Sequence, residues 1–184
     1  MKEKLLIFKN DNINLNKTIY LLILIMVISG VFGFIYETIF YKIDLGYFVK
    51  RGSSYGPWIP IYALGGLFIT LLTYKLKKNP FIVFVLSSII TGLLEYITGY
   101  VFYEFKGIRL WDYNTEIWNY GNINGYICLR SVLFFGISSL LLIYLIIPLL
   151  KKLTKNIKEN TLQIISISLG LLFLIDVLVY GVLN

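Results

Sequence analysis

The chain has 184 residues, 58% hydrophobic and 15% charged, with a mean hydropathy of +0.77. Soluble domains average about 45–50% apolar and about 25% charged residues, so residues 1–184 are expected to form a single integral membrane domain with no room for a separate soluble one. One cysteine, Cys128, excludes an intrachain disulfide. With no histidine and no P-loop motif, the commonest general base, most zinc sites and ATP hydrolysis by a P-loop within the chain are excluded as well.

Five apolar runs predict an all-α polytopic bundle of about five transmembrane helices. The first, residues 18–41, is too long, starts too late and lacks the small-residue cleavage site of a signal peptide, so it is expected to be a retained helix. Ser29, Gly33 and Glu37 lie on it at spacings of four, one helical stripe. The loop that follows contains Arg51-Gly52 and Gly56-Pro57-Trp58-Ile59-Pro60-Ile61-Tyr62. Its prolines deny helix at the entry to the second run, while Trp58 and Tyr62 suit a membrane interface. The second run, residues 58–74, is the shortest and is expected to enter the membrane irregularly before becoming helical. Backbone of that kind needs protein or a cavity around it.

The third run, residues 81–103, places Ser88, Gly92, Glu95 and Gly99 on one stripe. Small residues there allow close helix approach and aim Glu95 into a seam between helices. The next loop carries Trp111-Asp112-Tyr113 and an Asn- and Gly-rich turn up to Gly125. The fourth run, residues 126–150, carries Arg130, and the fifth, residues 161–183, carries Asp176 with a packing stripe of Ser166 and Gly170. Gly33-x-x-Tyr36-Glu37 and Gly92-x-x-Glu95-Tyr96 hint at an internal repeat of two helix pairs.

The net charge of +7 reads as topology and gives no reason to expect a nucleic-acid partner. Lys2, Lys4, Lys9, Lys17, Lys75, Lys77, Lys78, Lys151, Lys152, Lys155 and Lys158 fall on one side of the expected bundle. Only Lys42, Lys50, Arg51, Lys106 and Arg109 fall on the other. The positive-inside rule then puts the N-terminus in the cytoplasm and the C-terminus outside.

Glu37, Glu95, Arg130 and Asp176 therefore sit in the outer half of the bilayer. A charge at the centre of a membrane helix costs about 2.5–3.5 kcal/mol on insertion scales, which makes these four the candidates for function. Arg130 is expected to pair with one or more of the three acids. Three carboxylates around one guanidinium leave excess negative charge, the condition under which one of them carries a proton. Arg51 is a candidate for binding a phosphate or carboxylate. Trp58, Tyr62, Trp111, Asp112 and Tyr113 are candidates for an outer-loop gate over a site of Glu37, Glu95, Arg130 and Arg51.

The motifs Arg51-Gly52, Gly56-Pro57, Pro60-Ile61-Tyr62, Leu94-Glu95-Tyr96, Trp111-Asp112-Tyr113, Gly125 and Ile127-Cys128-Leu129, in that order, resemble the putative ABC-transporter type IV membrane-protein family. With the Gly33-x-x-Tyr36-Glu37 segment, the resemblance covers roughly residues 33–135. Lys50, Ala63 and Tyr126 depart from the pattern, the last removing a basic residue common before the Ile-Cys-Leu. The resemblance implies a multi-pass protein of the bacterial plasma membrane and a transport permease. No cofactor is expected, and a bundle this small in the lipid bilayer is expected to work with either a separate ATPase subunit or further copies of itself.

Two other readings stay open. One is a membrane enzyme on lipid or cell-envelope precursors, with Glu95 or Asp112 as acid or base and Arg51 and Arg130 holding a phosphate; the missing histidine, P-loop and metal spacing argue against it. The other is a non-catalytic accessory or sensor protein.

Overall fold

A computed structural model describes residues 7–8 and 13–183, and the regular elements among them are helical. Lys2, Lys4 and Lys9, which entered the topology argument, lie outside the described residues. Helix α1 runs Leu15–Leu45. Asn14 caps it by accepting from the Lys17 amide at 2.8 Å, and Gly46 ends it in the left-handed region at φ 80°. Helix α2 runs Pro60–Thr73, with proline at its first turn, and a 3₁₀ turn, Tyr74–Leu76, extends it. Helix α3 runs Pro80–Lys106, capped by Asn79 and ended by Gly107 at φ 66°. Helix α4 runs Leu129–Thr154 and includes a π-helical turn at Leu142–Ile146. Pro148 follows that turn, and its ring nitrogen cannot donate to the helix. Helix α5 runs Glu159–Leu183.

Four of the five helices are long and apolar enough to cross a membrane, and α2 is the short one. Its 14 residues span about 21 Å against a hydrocarbon core of about 30 Å. The first loop supplies the missing depth. The Ile59 amide donates to the carbonyl of Gly30, in the middle of α1, at 3.0 Å. Gly30 lies seven residues below Glu37, about 10 Å along the helix. Residues 52–59 thus descend into the bundle as non-helical backbone. Ser54 Oγ donates to the Trp58 carbonyl, so that backbone is satisfied by protein, as that depth requires.

Neighbouring helices pack in the order α5, α1, α2, α3, α4. Aromatic contacts return α4 to α1: Phe134 stacks on Tyr36 with ring centroids 3.5 Å apart and on Phe32 at 6.3 Å. Helices α1 to α4 therefore close around a central space, and α5 lies outside against α1. Close approach at the α1–α2 seam needs Gly33, where a Cβ would overlap the ring of Tyr62. On α3, Ser88, Gly92, Glu95 and Gly99 are buried while Ile89, Leu93 and Ile97 are exposed. The polar stripe faces the bundle and the apolar one faces lipid, as the sequence spacing requires. At the lysine-rich end, Leu21, Ile25, Ile69, Ile143 and Ile147 form a buried apolar cluster. Polar side chains concentrate at the opposite, loop-bearing end.

Candidate functional site

Three carboxylates meet at the loop end, each held differently. Glu37, near the end of α1, forms an ion pair with Arg51 of the first loop, Oε2 to Nε 3.0 Å. The Arg51 guanidinium also lies over the Tyr41 ring, 3.6 Å from its centroid. Glu116, in the second loop, forms an ion pair with Arg130 at the first turn of α4, Oε2 to Nη2 2.5 Å. The Tyr41 hydroxyl donates to its other oxygen. Glu95, on α3, is 4% exposed. Its Oε1 accepts from the Tyr113 hydroxyl and its Oε2 from Ser131 Oγ at 2.7 Å. Both of those donors are neutral. Among the described residues two cations therefore balance two acids, and Glu95 is left with hydroxyl donors alone.

The three acids line one cavity of about 20 Å³, with Arg130, Tyr62, Trp111 and Tyr113 also in its wall. That is room for about one water molecule, and the lining is polar enough to hold one. A second cavity of about 30 Å³ lies further toward the lysine-rich end, with Tyr62 and Phe135 common to both walls. Among the described residues no group of acids or cysteine is placed to hold a metal ion.

The second loop forms the roof. Trp111 donates its indole N–H to the Tyr126 carbonyl at 2.9 Å, which holds its ring over the cavity. Asp44 of α1 accepts from the Ile117 amide at 3.2 Å. Asp112 turns away to its own loop, accepting from Arg109 Nη1 at 2.9 Å, the Asn114 amide at 3.0 Å and Asn114 Nδ2 at 2.7 Å. This network shapes the turn that presents Trp111 and Tyr113. Burial raises the Glu116 carboxyl above the usual carboxylate range, against the opposing pull of Tyr41, Arg130 and Arg51. Burial, and then the charge of Glu95, hold the Tyr113 phenol well above its ordinary value, so it stays a hydrogen-bond donor.

Of the residues singled out in the sequence, Glu37, Glu95, Arg130, Tyr62, Trp111 and Tyr113 come together at this cavity, and Arg51 joins through Glu37. Three do not line it. Trp58 is buried against Phe173 of α5, ring centroids 5.8 Å apart, and Asp112 faces its own turn. Asp176 accepts from the amides of Tyr55 at 3.1 Å and Gly56 at 3.0 Å and from the Trp58 indole at 2.7 Å. Its place in an apolar helix is explained by the descending loop, whose amides need an acceptor there.

The expectation that Arg130 pairs with Glu37, Glu95 or Asp176 is corrected: its ion-pair partner is Glu116. The reason is directional. Arg130 opens α4 just below the second loop, and the loop folds back over it. Glu116 lies in an irregular polar segment with no helical register to reveal its direction. The one clue in the sequence was the need of Arg130 for an acid within reach.

No curated protein and no solved structure matches the chain. A family model described as "Putative ABC-transporter type IV" matches residues 9–180, a stretch that extends past the motif-bearing segment to take in nearly all of α5. With its apolar helices and this match, the chain is a multi-pass membrane protein that belongs to the putative ABC-transporter type IV family.

Proposed function

We propose that the chain is the membrane-embedded, permease-like subunit of a bacterial plasma-membrane transporter, and that the loop-end cavity is its site for a proton or small cation. The carrying observation is Glu95: a buried carboxylate in a water-sized cavity, hydrogen-bonded among the described residues only by Tyr113 and Ser131, while the two nearby arginines are committed to Glu37 and Glu116. A carboxylate so placed gains most from binding a positive charge. Tyr62, Trp111 and Tyr113 enclose it from α2 and the second loop.

The distribution of lysines favours an orientation with the loop end outward. An ATPase would then meet residues 74–79 and 155–158 at the opposite end. Those connections are short for an ABC coupling helix, which favours a small partner surface or self-association over a conventional permease arrangement.

The test is purification of the tagged wild type and the Glu95→Gln variant from native membranes, with partners identified by mass spectrometry and charge movement recorded on the reconstituted assemblies. Both preparations should carry the same stoichiometric partner or the same homo-oligomer. Charge movement should fall at least tenfold in the variant. Equal charge movement in the two would overturn the role given to Glu95.

A further inference from the structure

The loop-end cavity contains a donor that the ion pairs do not use. Among the described residues Arg130 Nε is buried without a hydrogen-bond acceptor, although Nη2 of the same guanidinium is bound to Glu116. Planar guanidinium donors point in fixed directions, and the cavity that Arg130 helps to line is where a small molecule could supply an acceptor for Nε. About 20 Å³ is enough for one water, and the carboxylates of Glu95, Glu37 and Glu116 in the same wall can accept its protons. We propose that this cavity is a site for a single water held by Arg130 Nε, and that Glu116 is the residue through which Glu95 exchanges protons with the outer medium.

The inference rests on the reading of Glu95 as a proton site. The step is balanced. The O–H bond of a protonated Glu95 breaks and its proton passes to the water. The water releases another of its protons to ionised Glu116, so that Glu95 ends charged, Glu116 neutral and the water unchanged. Glu116 is suited to receive it by position: it is carried on the outer loop, and its two oxygens are bound by Tyr41 and Arg130.

The ionisable groups around the relay come from every element packed on it. Tyr36, Glu37 and Tyr41 face it from α1, Tyr62 from α2 and Glu95 from α3. Arg130 does so from α4, and Arg51 and Tyr113 from the loops. The positive charges of Arg130 and Arg51 favour the ionised form of Glu116. Burial works in the opposite direction on Glu116 and eases its uptake of a proton.

The experiment is infrared difference spectroscopy of the full chain in lipid nanodiscs. Acidification should produce the carbonyl stretch of a protonated carboxyl, assigned to Glu95 by its loss in Glu95→Gln. Rapid mixing into D₂O then reports how fast that proton exchanges. Glu116→Gln should keep the band and slow its exchange at least tenfold. Arg130→Lys, which keeps the charge and removes Nε, should also slow it, and serves as the second variant if Glu116→Gln does not fold. Unchanged exchange with the band intact would overturn the relay and leave the Glu95 reading standing. Absence of a Glu95 band at every pH would overturn both.

Discussion

Glu37, Glu95 and Glu116 are chemically the same side chain, and what separates them is the partner that folding brings. Two have arginines and one has hydroxyls. Ionised Glu116 is a source of strain as well as order, because burial raises its carboxyl above the ordinary range despite Arg130. The sign follows from linkage. The folded protein takes up this proton at a higher pH than the unfolded chain does. Lowering the pH from neutrality toward the ordinary carboxylate range therefore favours the folded state, and the gain is complete below the unfolded value. The melting temperature of the wild type should rise over that range relative to Glu116→Gln, in which this contribution is absent. Parallel pH profiles for the two proteins would contradict it. The identities of Glu37, Glu95 and Arg130 as membrane-embedded charges were legible in the sequence, because a charge in an apolar run stands out against its neighbours. The pairing of Arg130 was not, since its partner lies in a loop with no periodicity.

At the scale of elements, the descending loop and α5 depend on each other. Residues 52–59 leave amides at membrane depth, and Asp176 of α5 accepts from two of them and from the Trp58 indole. Hydrogen bonds to a charged acceptor contribute about 1.5–3 kcal/mol each, and removing the acceptor takes away this partner of the buried Trp58 indole. Asp176→Ala should destabilise the protein by about 2–4 kcal/mol. It should also shift Trp58 fluorescence and speed protease cleavage at Tyr55. A variant as stable as the wild type, with unaltered fluorescence, would show that the loop is held by packing on Phe173 alone. The irregular entry of the second apolar run was readable from Pro57 and Pro60. Its anchorage on α5 was not, because Tyr55 and Asp176 are 121 residues apart and no local pattern links them.

For the whole molecule, the division of basic residues between the two ends makes a topology prediction. Cysteines introduced one at a time into a Cys128→Ser background should be reached from the cytoplasmic side at Lys78 and Lys155, and from outside at Lys50 and Gly107. The reverse pattern would invert the proposed outward-facing site. Segment length and hydropathy determined that this chain is a multi-helix membrane protein, and the spacing of Ser88, Gly92, Glu95 and Gly99 determined which face of α3 turns inward, because both properties are local and periodic. Ordered short motifs carried the family. Only the tertiary structure decided that α2 is short because a loop takes up its depth, that Asp176 serves that loop, that Arg130 belongs to Glu116, and that, of the three acids at the cavity, Glu95 is the one given hydroxyl donors in place of an arginine. Each of these depends on groups far apart in the chain meeting at one depth, which no single segment encodes.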